Sequence, residues 1–220
     1  MIRRFMRVVA PDLCIVCGRE SKLLHDDCTE EMEAAPPSCI VCGALSKDYR
    51  LCSPCRKTTG MDTCYFFSTS DSPARRLISS AKYSSNKDAC TAAAALMGEI
   101  SPDYLDEFGV THVPSAYSRV RERGFDHAAV VAHELASRKQ LASHQLLRRV
   151  GTSKQVGSSR AARLRQAKEQ YAIAASRVVP ERILLVDDIY TTGATLTACT
   201  KLLKQAGAKH VYGAVLIRSK

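Results

Sequence analysis

Apolar and polar positions divide the chain into an irregular first quarter and a regularly patterned remainder. Residues 72–83, SPARRLISSAKY, carry apolar side chains at helical spacing. Residues 86–100, NKDACTAAAALMGEI, open on the capping residue Asn86 with Asp88 in the first turn, which predicts an Ala-rich helix. A polar, acidic connector, SPDYLDEFG, follows. VTHVP (110–114) predicts a short apolar strand stopped by proline, and FDHAAVVAHELASRKQ returns to helical period. Around LLRRV another short strand is expected. GTSKQVGSSR (151–160) has the composition of a mobile flap, and AARLRQAKEQ predicts a basic helix. RILLVDD predicts a strand buried on both faces, TLTACTKLLKQAG a helix stopped at Gly207, and HVYGAVLI a last strand. Strands alternating with helices predict an α/β domain whose mostly parallel sheet is flanked by helices.

Length and composition limit what this domain can be. The 220 residues, 45% hydrophobic and 25% charged, suffice for one core plus a small module. No apolar run approaches the roughly 18 to 20 residues of a membrane span. The basic start, MIRRFMRVVAPDLC, has too short an apolar stretch for a secretory signal. A soluble cytoplasmic protein without membrane insertion is therefore expected.

Cysteine usage points the same way, because regularly spaced pairs in a reducing compartment usually bind metal. Eight of the 10 cysteines precede residue 65. Cys39-x2-Cys42-x9-Cys52-x2-Cys55 forms two knuckles whose thiolates can close a tetrahedral zinc site. Cys14-x2-Cys17-x7-His25-x2-Cys28 repeats the design with an imidazole as third ligand. Gly18 and Gly43 follow the first pair of each block, where amides must turn toward sulfur and a residue without Cβ turns most easily. Sequence alone does not exclude cross-braced pairing, with Cys14 and Cys17 sharing a metal with Cys39 and Cys42. With every ligand supplied by protein, both sites are structural and hold a segment too poor in apolar residues to fold alone. Cys64, Cys90 and Cys199 fall outside the pattern and read as small buried hydrophobes.

The formal net charge is +10, and residues 115–170 hold 12 Lys/Arg against 4 Asp/Glu. Such a segment suits a polyanion or a multiply charged phosphate, a solvated basic face being the plainer alternative.

ILLVDDIYTTGATLTA (183–198) ends an apolar run in two adjacent aspartates and continues into a loop of small residues. In open parallel sheets ligands bind at the carboxyl ends of strands, where Asp187 and Asp188 fall. Thr191, Thr192, Gly193, Ala194 and Thr195 lead into a helix, leaving backbone N–H groups accessible and adding the helix dipole and three hydroxyls. That is a cradle for a monophosphate. Two carboxylates beside it can accept from a sugar diol, so the pair describes a ribose 5-phosphate site. The Gly-x4-Gly-Lys-Ser/Thr pattern of a Walker loop is absent. A strand followed by a helix capped by Thr192 or Thr195 would explain one hydroxyl but neither acid.

ILLVDDIYTTGAT resembles the phosphoribosyl pyrophosphate (PRPP) motif of type I phosphoribosyltransferases. The amino-terminal knuckles, ISSAKY with Lys82, and VPSAYSRVRERGFDHA precede it in the order seen in the ComF family, whose members are similar to phosphoribosyltransferases with an added zinc module. The resemblance covers nearly the whole chain. It implies a double zinc ribbon at about residues 10–60 and a phosphoribosyltransferase-like domain at 61–220. It also implies that Asp187 and Asp188 hold the ribose hydroxyls and residues 191–195 the 5-phosphate. VPSAYSR (113–119), with Ser115, would face pyrophosphate, with Arg119, Arg121 and Arg123 supplying charge and Mg²⁺ accompanying the ligand. Asp187, Asp188 and Arg121 would carry the chemistry, and the glycine in RERGF would let backbone approach the ligand.

Two positions depart from the family. Many ComF sequences read RGFNQA where this chain has Asp126 and His127, so an amide contact there is in question. His127 can act as acid or base near neutral pH, although a lone helical histidine is more often a polar surface residue. Gln155 is present, but RAARLRQAKEQYAI lacks the family's asparagine, and the acceptor stays undefined. Two functions fit these features. One is a PRPP- and Mg²⁺-dependent transferase. The other is a binding protein that keeps the fold while its basic segment contacts single-stranded DNA, alongside a helicase during DNA uptake, as the resemblance implies. Against single-strand binding, only Tyr117, Phe125 and Tyr171 are aromatic between 115 and 171.

Overall fold

The computed structural model describes residues 13–20, 22–30, 32–69, 73–83, 86–103, 105–150, 169–175 and 178–219. The 151–160 segment and most of the basic helix expected after it lie outside the described residues, as does the start of the chain. Helix α1 (Asp26–Glu30) and α2 (Ser53–Thr59) belong to the cysteine-rich region. Then come β1 (Thr63–Thr69), α3 (Pro73–Tyr83), α4 (Lys87–Ile100) and β2 (Gly109–His112). Helices α5 (Tyr117–Arg123) and α6 (His127–Arg138) precede β3 (Ala142–Ser143), β4 (Leu147–Arg149) and β5 (Tyr171–Ile173). The chain closes with β6 (Arg182–Tyr190), α7 (Ala194–Gln205) and β7 (His210–Arg218).

Five strands form one sheet in the order β1-β7-β6-β2-β3, with every pairing parallel. Strands β4 and β5 pair antiparallel as a separate ribbon. This is the α/β architecture that alternation of strand and helix patterns predicts. The central strands are short apolar runs because helices cover both sheet faces and leave no polar side.

Four local features differ from expectation. Strand β1, TCYFFST, is buried at every position but the last, so it shows no alternation and escapes a period-based reading. Its neighbour β7 makes room at Gly213, where an added Cβ would lie 2.6 Å from the Cys64 sulfur. Helix α2 uses Pro54 in its first turn and stops at left-handed Gly60, φ 80°, a short helix inside a cysteine block read only for its ligands. Residues 117–119, expected in the ligand-facing loop 113–119, instead open a helix that runs to Arg123. Helix α6 starts at His127 because Asp126 caps it, accepting from the Ala128 amide.

The second cysteine block packs on the sheet. Cys39, Ile40, Tyr49 and Leu51 belong to the same buried cluster as the strands. Tyr49 meets Tyr65 and Phe66 edge-on at 5.7 and 5.3 Å, and Arg218 at the end of β7 donates from Nε to the Ile40 carbonyl at 2.7 Å. The first block meets the same core through the partly buried Ile15, Leu23 and Leu24, and Arg76 of α3 donates to the Ile15 carbonyl at 2.9 Å. Among the described residues no helix is long and apolar enough to cross a membrane.

Candidate functional site

Strand β6 buries Ile183–Val186 and then brings Asp187 and Asp188 to its carboxyl end, partly exposed. They face a cavity of about 1170 Å³. Around its wall stand Lys82 from α3, residues 113–116, Arg119 and Arg121 from α5, His127 from α6, Arg149 and Tyr171 from the β4/β5 ribbon, and Thr195 from α7. Of the residues singled out from sequence, the cavity thus gathers Lys82, Ser115, Arg119, Arg121, Asp187, Asp188 and Thr195. Thr191, Thr192, Gly193 and Ala194 form the turn into α7 without lining this cavity. Arg123 points elsewhere, its guanidinium 2.9 Å from His127 Nδ1.

The two aspartates have opposite electrostatics. Burial, reinforced by the neighbouring Asp188 charge, pushes Asp187 up to about 8. Burial also acts against ionised Asp188, but the hydrogen bond with His127 and the Lys82 ammonium overcome it and hold Asp188 down at about 2. Lys82 Nζ is 2.5 Å and His127 Nε2 2.6 Å from the same oxygen, Asp188 Oδ2. The Asp188 amide donates to Asp187 Oδ1 at 2.9 Å. Of the two, Asp187 is thus the carboxyl that holds its proton more tightly and Asp188 the one favoured in its ionised form.

Gly193 sets the shape of the turn. It caps α7 in the left-handed region, φ 71°, and a Cβ there would run into the Tyr190 hydroxyl and ring. The N-cap residue is Gly193 rather than Thr192 or Thr195, and Thr192 Oγ1 accepts from the Ala194 amide at 3.4 Å. Asp126 does not line the cavity. It takes hydrogen bonds from the Ser115 amide at 2.9 Å and hydroxyl at 2.7 Å, so it fixes the 113–116 loop from behind.

Gly124 stops α5 with φ 81°, the left-handed turn for which RERGF has its glycine, and it does not line the cavity. One expectation is corrected. His127 is buried, 7% exposed, and is not a polar surface residue. Sequence reasoning also passed over Arg149 and Tyr171. Arg149 stacks on the Tyr171 ring at 5.5 Å and donates to Gln170 Oε1 at 2.9 Å. Their juxtaposition depends on antiparallel register between segments some twenty residues apart, and no local pattern encodes it.

The cysteine blocks each assemble four ligand atoms. Those of Cys14, Cys17, His25 and Cys28 lie within 4.8 Å of one another, and so do those of Cys39, Cys42, Cys52 and Cys55. Each block closes on itself, which decides against cross-bracing. The Cys42–Cys52 sulfur separation is 3.7 Å, close to the roughly 3.8 Å edge of a tetrahedron with 2.3 Å zinc–sulfur bonds. His25 turns Nδ1 toward Cys17 at 3.5 Å, and its Nε2 lies 3.3 Å from the Glu20 carbonyl, the outer contact usual for a ligating imidazole. Both groups can hold zinc. Gly18 and Gly43 have φ of 74° and 80°, as the knuckle turns require.

The profile of the family described as phosphoribosyl transferase domain matches residues 121–220. A curated relative, competence protein ComFC of Streptococcus pneumoniae (strain ATCC BAA-255 / R6), is 58% identical over 40 residues, 18% of either chain. The match thus places the carboxy-terminal part of the chain, from residue 121 on, with phosphoribosyl transferase domains. The chain is also similar to solved structures. Glutamine PRPP amidotransferase from B. subtilis, complexed with ADP and GMP, matches at 18% identity and a TM-score of 0.42, over 57% of this chain and 25% of that one. Orotate phosphoribosyltransferase from Aeropyrum pernix matches at 19% identity and a TM-score of 0.38, over 65% and 62%. The chain thus spans well under two thirds of the length of the first relatives it matches.

Proposed function

We propose that the cavity binds PRPP or a related ribose 5-phosphate, with Asp187 and Asp188 on the ribose hydroxyls and residues 191–195 around the 5-phosphate. The observation that carries this reading is the α7 N-terminus. A tight turn at Gly193 leads into α7, with Thr192 Oγ1 accepting from the Ala194 amide at 3.4 Å and no side chain at the N-cap position itself, in the same stretch of chain as the two carboxyls at the end of β6. Ser115, Arg119 and Arg121 sit on the cavity wall with Lys82, where they would meet the pyrophosphate, and Arg123 would join them on leaving His127. Carboxylate oxygens at the end of β6 suit Mg²⁺ brought in by the ligand, and the ion would supply charge neutralisation for the leaving pyrophosphate. The acceptor would enter between the β4/β5 ribbon and α5.

The proposal includes phosphoribosyl transfer in a cytoplasmic protein built of a zinc ribbon (10–60) and a transferase-like domain (61–220). Through the competence relative it extends to DNA uptake. The binding step is tested by calorimetric titration of PRPP with Mg²⁺ into zinc-loaded protein, beside an Asp187→Asn/Asp188→Asn variant. Saturable binding lost in the variant supports the reading. No binding by folded wild type removes it and shifts weight to nucleic-acid or partner binding through the basic segment.

A further inference from the structure

His127 stands where four elements meet. Its Nε2 lies 2.6 Å from Asp188 Oδ2 on β6, and its Nδ1 lies 2.9 Å from Arg123 on α5. The other polar neighbours are the Ser115 hydroxyl, 3.4 Å from Nδ1, and the Asp126 carboxylate at 4.0 Å. Asp126 is in turn 3.9 Å from His112 at the end of β2, and Lys82 of α3 shares Asp188 Oδ2. The side chain of His127 is 8% exposed.

Two rules of donor chemistry fix the ring. A guanidinium can only donate, so Nδ1 facing Arg123 must be the accepting nitrogen. The remaining ring proton is then on Nε2, where it is donated to Asp188. Both donors of the Lys82 and His127 pair converge on Oδ2, which leaves Asp188 Oδ1 for a group in the cavity.

Resting on the phosphoribosyl reading of the site, we propose that His127 is its positioning residue: a neutral imidazole, set as the Nε2–H tautomer by Arg123, that clamps Asp188 Oδ2 and presents Oδ1 to the ligand. An amide at this position could likewise donate to Asp188 and accept from Arg123; the imidazole does so with both nitrogens held in one rigid ring. Through Arg123 the ring joins α5, which carries Arg119 and Arg121 on the cavity wall, to the carboxylate on β6. Capture of Arg123 by an anionic ligand would free Nδ1 and release the tautomer, so the two halves of the site are coupled through one ring.

Multiple-bond ¹H–¹⁵N spectra of the zinc-loaded full chain, without ligand, test the tautomer, with the ring assigned by its loss in His127→Gln. Expected is a proton on Nε2 and a bare Nδ1 at neutral pH, and a mixture of tautomers in Arg123→Met. A ring protonated on Nδ1, or an Arg123→Met spectrum identical to wild type, overturns the assignment. Titration with PRPP and Mg²⁺ tests the consequence. His127→Gln, which retains a donor, should bind within about threefold of wild type, and His127→Ala at least tenfold more weakly. Equal affinity of the three proteins, or equal loss in both variants, overturns the positioning role. If wild type binds no PRPP, the phosphoribosyl reading fails, whereas the tautomer result stands or falls by itself.

Discussion

Asp187 and Asp188 follow each other in the chain, and the amide of the second donates to the carboxyl of the first at 2.9 Å, yet their acidities move in opposite directions. Asp187 has burial and a neighbouring negative charge against it. Asp188 has His127 and Lys82 on one oxygen. The negative charge favoured at the strand end is thus a paired one.

The pair makes stability depend on pH in two windows. Asp187, raised to about 8, contributes stability that is present below its unfolded value near 4 and is lost as pH climbs to about 8. Asp188, lowered to about 2, contributes stability present above pH about 4 and lost as pH falls toward 2. Asp187→Asn should therefore raise Tm at pH 8 by several degrees, on the order of 3 to 8 °C, with the gain shrinking toward pH 5. Asp188→Asn should lower it, since the Lys82 ammonium loses its partner at a cost of about 3 to 5 kcal/mol. Thermal unfolding of the three proteins between pH 5 and 8 decides, and a destabilised Asp187→Asn would contradict the assignment.

Gly193→Ala should fail on two counts. A residue with a Cβ in the left-handed region costs about 1 kcal/mol, and the Tyr190 ring blocks the methyl in addition. The expected loss is about 2 to 4 kcal/mol with at least tenfold weaker phosphate-ligand binding. Adding Tyr190→Phe should not rescue it, because ring carbons as well as the hydroxyl occupy the space. Denaturant unfolding and titration with PRPP measure both effects.

Metal analysis of purified protein should return two zinc ions per chain. His25→Ala should reduce this to one and leave Tm within a few degrees, because Ile15, Leu23 and Leu24, the residues by which the first block meets the core, are only partly buried. Cys39→Ser should lower Tm by 10 °C or more, because Cys39 and Ile40 are part of the main core. Equal sensitivity of Tm to the two losses would show that the blocks share their support.

Asp126→Ala removes a helix cap and both anchors of Ser115. The expected cost is about 1 to 2 kcal/mol in unfolding free energy. A loosened 113–116 loop should also weaken pyrophosphate-bearing ligands more than ribose 5-phosphate. Comparative titration of the two ligands checks this, and a uniform loss would mean that Asp126 supports the helix alone.

Much of this architecture is written in local pattern. RILLVDD and HVYGAVLI fix strands, Asn86 and Gly207 mark helix ends, and the cysteine spacing picks out the eight ligand residues, because each rests on contacts among near neighbours in the chain. Strand β1 was not legible, since a strand buried on both faces has no alternation to show. Nor were α2 and α5, whose seven residues each are too few for a helical period to stand out.

By itself the sequence determined the α/β class, the knuckle ligands and the aspartate-to-glycine turn, each set by residue type at short range. Tertiary structure decided what happens between distant segments. It closed each cysteine block on itself, withdrew Arg123 from the cavity, brought Arg149 and Tyr171 to its wall, and buried His127 against Asp188, sixty-one residues away. Charge pairing and burial depend on which surfaces the sheet order brings face to face, and side-chain spacing along the chain has no record of that.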